Sequence, residues 1–309
     1  MLELPAIPKK FITKVLALEE RNKQEVQLAF MARALVIATL PHSKPDDFYY
    51  ERQNGRYTLS MTANPKFGLP YGSIARMLLS WITTEAVSKK SPEINLGKSF
   101  TSFLKKLKLQ HGGGKRGNTT RVREQMKRLL TCKISCVYED KTKGIFEGDQ
   151  FCISRSFKLW WSPIEPSKKE FSENSKIILS GDFFDELIKN PIPINFDSLN
   201  ILRQSSLQID IYVWLTYRFF SLRKEILIPW KNLKKQFGSD YAEYANDSTQ
   251  STRNFKKKFL QALKKVWLVY PAANVCPIDK GLMLYPSDTH VKTVKIKYNA
   301  PVDNLSYPR

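Results

Sequence analysis

Two runs of this 309-residue chain carry side chains able to read or neutralise a nucleic-acid duplex. Projected at about 100° per residue, the segment Thr119–Leu130 sets Val122, Met126 and Leu129 on one face. Thr120, Arg121, Glu124, Lys127 and Arg128 fall on the other. In Ser251–Val266 the same projection gives an apolar stripe of Phe255, Phe259, Leu263 and Val266. Arg253, Asn254, Lys257, Gln261 and Lys264 then face outward. Arginine offers two parallel donors to guanine, and the amides of Asn and Gln match adenine. Lysine neutralises phosphate, and a helix N-terminus adds backbone donors. Lys115 and Arg116 extend the charge just ahead of the first run. From Lys98 to Arg128 there are ten Lys or Arg against one acid, and from Lys231 to Lys265 nine against three. One basic helix is usually a solvated face. Two of them, in a chain whose 50 Lys and Arg exceed 29 Asp and Glu to give +21, point to a polyanion as partner.

Other chemistries fit the residues less well. Gly112-Gly113-Gly114-Lys115 lacks the four-residue glycine spacing of a phosphate-binding loop, has Arg116 after the lysine, and follows no strand directly. Tyr241 and Tyr244 suggest a nicking tyrosine, but such nucleases need paired histidines, and His42, His111 and His290 are scattered. Cys132, Cys136, Cys152 and Cys276 form no CxxC pair, so no metal is expected. Four thiols in a core-rich chain fit a reducing cytoplasm. No run of 18 apolar residues exists, so no membrane span is expected, and Met1–Lys14 lacks the apolar core of a secretory signal. The expectation is a cytoplasmic protein that is not an enzyme and needs no cofactor. Double-stranded DNA is preferred to RNA because the aromatics sit at core spacing and not on exposed strands. Trp160-Trp161 and Phe48-Tyr49-Tyr50 are read as packing clusters.

The elements that must hold these two helices follow from periodicity. Val26, Ala29, Phe30, Arg33, Ala34 and Ile37 predict a helix from Asn22 to Leu40, closed by Pro41. FYYERQNGRYTLSMT reads as a hairpin turning at Asn54-Gly55. Ser73–Ser88, with Ile74, Met77, Leu78, Trp81, Ile82 and Val87, is too apolar for a surface helix and predicts a core spine. Glu93–Leu96 is strand-like, and Ser99 caps a helix over Phe100–Lys108. Asn118, Thr119 and Thr120 supply capping chemistry for the first basic helix. Two strands, Lys133–Glu139 and Gly148–Trp161, then flank a charged tip, Asp140–Glu147. Helix, turn, helix and β-hairpin is the winged-helix order.

The programme then repeats. Gly181–Lys189 is a short helix stopped by Pro191 and Pro193, and Leu207–Leu222 is a second spine. Glu225–Ile228 mirrors Glu93–Leu96, and Arg253 mirrors Arg121, each 132 residues on. Trp230–Phe237 mirrors the Phe100 helix. Trp267–Tyr270 and Gly281–Tyr285 predict a second wing. Four elements in one order at a near-constant offset predict an internal duplication. The expected fold is α+β, mostly α, with two tandem winged-helix domains. Residues 1–21 form an N-terminal extension and 22–165 the first domain, for DNA backbone contact and dimerisation. The polar, proline-bearing stretch gives a linker at 166–176. Residues 177–288 form the second, sequence-reading domain, and 289–309 a basic tail.

Long blocks of the chain resemble the RepA-type plasmid replication initiators. They include FGLPYGSIARMLLSWITTEAVSKKSPEINLGKSFTSFLKKL and GNTTRVREQMKRLL, and NPIPINFDSLNILRQSSLQIDIYVWLTYRFF with Asn190-Pro191, Asp210, Tyr212–Leu215 and Tyr217-Arg218. The likeness runs over about residues 25–286. It implies an initiator that binds repeated origin sequences (iterons), promotes origin opening and recruits host replication proteins, the host initiator and helicase among them. It also implies that monomers bind the origin, whereas dimers repress their own gene through the first winged-helix domain. From the residues alone, a tandem winged-helix transcriptional repressor and a DNA-coating or partition protein stay open.

Overall fold

The computed structural model describes residues 6–114, 117–159, 175–238 and 248–291. Helix α1 (Lys9–Gln24) buries Phe11, Val15 and Leu18, which share one face. The helix expected over Asn22–Leu40 does not form. The chain instead makes strand β1 (Leu28–Ala32) and a single turn, α2 (Ala34–Ile37). Ala29 to Ala32 are all buried in β1, and a strand covered on both faces loses the alternation that separates it from a helix. Its partner is β9 (Pro191–Asn195), antiparallel, with Leu28 opposite Asn195 and Ala32 opposite Pro191. Pro191 and Pro193, expected to stop a helix, thus sit in a two-stranded sheet, where a missing N–H can face outward.

Strands β2 (Tyr49–Asn54) and β3 (Tyr57–Thr62) form the expected hairpin, with Gly55 at φ 62° as the first of two loop residues. Helix α3 (Gly72–Lys89) is the expected spine. After β4 (Glu93–Asn95), Ser99 and Ser102 close a reciprocal capping box on α4 (Phe100–Lys106). Helix α5 (Asn118–Thr131) leads directly into β5 (Lys133–Asp140) and β6 (Ile145–Cys152). This hairpin, expected as a wing, does not stand alone. It joins the first one in a four-stranded sheet of order β2-β3-β5-β6. Beyond Ile153 the chain changes sheet: β7 (Ser154–Lys158) pairs with β8 (Lys176–Leu179), and β8 with β4.

Most of the expected linker, and Trp160-Trp161, lie outside the described residues. Strand β8 and helix α6 (Gly181–Lys189), expected to open the second domain, pack against the first half. Phe183 of α6 stacks on Phe151 of β6 at 5.4 Å. After β9, Asn195 caps α7 (Phe196–Leu202) through its side-chain oxygen, and α8 (Ser206–Ser221) is the second spine. Then come β10 (Ile226–Pro229), α9 (Trp230–Phe237), α10 (Ser248–Val269), β11 (Val275–Pro277) and β12 (Gly281–Leu284). Trp267–Val269, expected as strand, end α10, and β11 takes that role further on. Val266, Val269 and Tyr270 are buried at helical spacing there.

The two three-stranded sheets, β4-β8-β7 and β10-β12-β11, have the same order: first strand, last strand, middle strand. One contiguous hydrophobic core runs through both halves. Polar ties cross it as well. Arg76 of α3 forms a two-pronged ion pair with Asp210 of α8, at 2.6 and 2.7 Å. Its other three donors go to the carbonyls of Leu40, Pro41 and Gly72, so all five N–H groups are satisfied. His42 closes on Asp210 at 2.7 Å. Burial, the largest influence, pushes the Asp210 carboxyl up, but the Arg76 charge and the bonds from His42 and Arg76 hold it below its usual range. Arg52 donates to the Lys235 carbonyl at 3.0 Å, and Gln236 to that of Ile37 at 3.1 Å.

Candidate nucleic-acid interface

Helix α5 is seated by Val122, Met126 and Leu129, all fully buried as the projection predicts. Gln125 is also buried, accepting the Tyr71 N–H at 2.9 Å. Its start depends on glycine. A Cβ at Gly117 would lie 2.2 Å from the Gly112 carbonyl oxygen and 2.3 Å from that of Gly113, so only glycine lets the loop cross itself there. The expected caps work differently. Gly117 is the cap residue. Thr120 donates back to the Gly114 carbonyl at 2.8 Å, and Asn118 to that of Gln110 at 3.0 Å. These side chains pin the loop to the helix, the Thr119 N–H meets the Gly112 carbonyl at 3.2 Å, and no side chain caps α5.

The outward face of α5 is narrower than its sequence projection. Arg121, Glu124 and Lys127 are exposed, and Thr120 and Arg128 are half-buried. Arg128 donates to the Leu69 carbonyl at 3.1 Å and lies over the Tyr71 ring at 5.3 Å. It braces the loop before α3. Lys127 lies 5.9 Å from the centre of the Phe67 ring. Lys115 and Arg116 lie outside the described residues. Two cations that the projection did not single out stand near this helix. Arg203, after α7, donates to the Lys108 carbonyl at 2.6 Å and to Asn200 at 2.8 Å. Burial holds it below its usual range, and the Arg121 charge adds to that. Lys108 pairs with Asp197. Neither pairing is legible locally, because each joins residues about 90 apart in sequence.

Helix α10 is seated by Phe255, Phe259, Leu263 and Val266, again fully buried. Its exposed row is Arg253, Asn254, Lys257 and Lys258, with Gln250 donating to Asn254 at 3.2 Å. Lys256 leans inward, over the Trp230 ring at 5.1 Å and 3.8 Å from Asp279. Gln261 and Lys264 are half-buried and, with Lys258 of that row, line a cavity against the N-terminal segment. Each half therefore presents a row of solvated cations on the second helix of a helix pair. Such a row suits phosphates and base edges.

Among the described residues, no group of three or more His, Cys, Asp or Glu is placed to hold a metal. Burial pushes the Cys132 and Cys136 thiols up to about 12, which leaves them unreactive. No described helix is long and apolar enough to cross a membrane. Tyr241 and Tyr244 lie outside the described residues.

A family model described as "Plasmid encoded RepA protein" matches residues 69–231. That segment holds α5, both members of the Arg76–Asp210 pair and the expected linker, and it ends before α10. Among solved structures, the selenomethionine derivative of domains 2 and 3 of RctB is similar at a TM-score of 0.50 and 13% identity. The likeness covers 84% of this chain and 99% of that one. A second crystal structure of RctB domains 2–3 gives a TM-score of 0.47 at 14% identity, covering 82% and 95%. At such identities the former likeness is one of fold. No curated protein matches the chain significantly.

Proposed function

The chain belongs to the family of plasmid-encoded RepA proteins, and from that premise we propose that it is a plasmid replication initiator gripping duplex DNA with α5 and α10. The observation that carries this reading is the repeated architecture. Twice, a strand precedes a helix pair and then pairs with the last strand of a three-stranded antiparallel sheet. Twice, the second helix of the pair turns cations to solvent. This is the plan of a winged helix-turn-helix, and its recurrence supports an internal duplication. In this reading β7–β8 is the first wing and β11–β12 the second.

Helix α10, with Arg253 and Asn254 on its exposed row, is the base reader. Helix α5, through Arg121 and Lys127, anchors the backbone. Two helices entering successive major grooves about 10 bp apart would cover a site of about 20 bp. Binding to origin repeats as a monomer, opening of the adjacent duplex, recruitment of host initiator and helicase, and a homodimer that represses its own gene complete the proposal. They draw their support from the family alone. The test is selection of random duplex DNA by the purified protein, with the winners retested across a salt series. A reproducible motif of about that length, bound far more tightly than random DNA, is the expected result. Affinity set by salt alone would leave a DNA-coating protein and remove the initiator reading's support.

A further inference from the structure

On the outward face of α5 one side chain has the wrong sign for a phosphate contact. Projected at about 100° per residue, Glu124 falls on the midline of that face, with Arg121 about 60° to one side and Lys127 about 60° to the other. All three are exposed. Glu124 has no hydrogen bond or ion pair among the described residues. Elsewhere the chain pairs such acids along its helices, Glu85 with Lys89 at 2.5 Å in α3 and Glu20 with Lys23 at 2.7 Å in α1. An acid four residues ahead of a cation is the favourable order, and in α5 that cation is Arg128. It is turned away instead, to the Leu69 carbonyl at 3.1 Å and the Tyr71 ring. Helix α10 has no acid along its length, so the feature belongs to the first half alone. When a helix lies in a major groove, its flanks meet the two phosphate walls and its midline meets base edges. A carboxylate on the midline is repelled by both walls and gains only from a donor on a base.

We propose that Glu124 reads a cytosine, whose N4 amino group donates to the carboxylate in the major groove while Arg121 and Lys127 hold the phosphates on either side. Adenine offers an amino group too, but sets the N7 acceptor beside it, which repels a carboxylate. Guanine presents only acceptors in that groove, and thymine an acceptor and a methyl group. Helix α5 then sets sequence preference as well as grip, and the chain reads bases with both helices. The inference rests on the DNA reading proposed above and names what one residue of that interface recognises.

Fluorescence anisotropy of the full chain on its selected duplex, on every single-base variant of that duplex and on random duplex tests the proposal. At one cytosine of the site, replacement by any other base should weaken wild-type binding about tenfold or more. In Glu124→Ala that penalty should vanish, the penalties at other positions should stay, and binding to random duplex should strengthen. Glu124→Gln, whose amide suits adenine, should move the preference there from cytosine to adenine. Because Glu124 is exposed and unpaired, both variants should keep the wild-type melting temperature. Unchanged penalties at every position in Glu124→Ala overturn the proposal. So does a gain by one common factor on specific and random duplex, which would make the acid a brake on phosphate contact alone. A wild-type protein that selects no motif overturns it together with the DNA reading. A reproducible motif that Glu124→Ala leaves intact overturns this inference and leaves that reading standing.

Discussion

The exposed cations of the two helices differ in what they can tell a duplex. Arg253 and Asn254 can bond base edges, whereas Lys127 is a point charge suited to phosphate. Replacing Arg253 or Asn254 by Ala should therefore cost about 1–3 kcal/mol on the selected site and relax its sequence preference. Lys127→Ala should weaken binding to all sequences alike and make the salt dependence shallower. Filter binding on specific and random duplexes separates the two, and equal losses for Arg253→Ala would refute its role. A second residue effect concerns acid. His290 stacks on Tyr270 at 4.7 Å and bonds to the Tyr212 hydroxyl at 2.9 Å. Burial pushes it down to about 4 from an ordinary value of 6.5. A base depressed in the folded state is protonated first in the unfolded chain. Its contribution is thus complete above pH 6.5 and is lost as pH falls through about 4. Denaturant melts should show a loss approaching about 3 kcal/mol over that range. His290→Gln should flatten the slope, and an unaltered slope would exclude His290 as its source.

At the scale of elements, the helices that bury one stripe were the legible ones. Phe255, Phe259 and Leu263 declare α10, and Val122, Met126 and Leu129 declare α5, because a face buried at 3.6-residue spacing needs no knowledge of its partner. Phe259→Ala should accordingly cost about 3–5 kcal/mol in chemical denaturation, and an unchanged midpoint would show that α10 is not seated through it. What escaped the sequence depended on remote chain. The Phe30-Met31 strand was misread because β9 covers it only after a long excursion. The β5–β6 hairpin was expected to stand as a wing because local pairing cannot reveal that β3 also pairs with β5, or that β4 pairs with β8. Within the site, Arg128 looked like Lys127 on the projection. Only the fold brings the Leu69 carbonyl and the Tyr71 ring to it. Gln261 and Lys264 likewise pointed outward until residues 6–8 and the start of α8 were laid beside them.

The whole molecule is expected to unfold as one cooperative body, since a single core and the Arg76–Asp210 pair join both halves. Breaking a buried pair from one side leaves an uncompensated charge, so Asp210→Asn should cost about 3–5 kcal/mol. Both halves should lose stability together. Unfolding followed separately through Trp81 of α3 and Trp214 of α8, in variants keeping one or the other, should give coincident transitions. Two separated transitions would mean independently folding halves. The β1–β9 pairing also sets a timetable for the newborn chain. When Leu28–Ala32 leaves the ribosome, the strand that will cover it has not yet been made. Until Pro191–Asn195 emerges, the nascent first half carries an open apolar edge, and a product cut short before that point would keep it permanently. Translational pausing or premature termination upstream of Asn190 is therefore where this protein is most exposed to chaperones, proteases and aggregation.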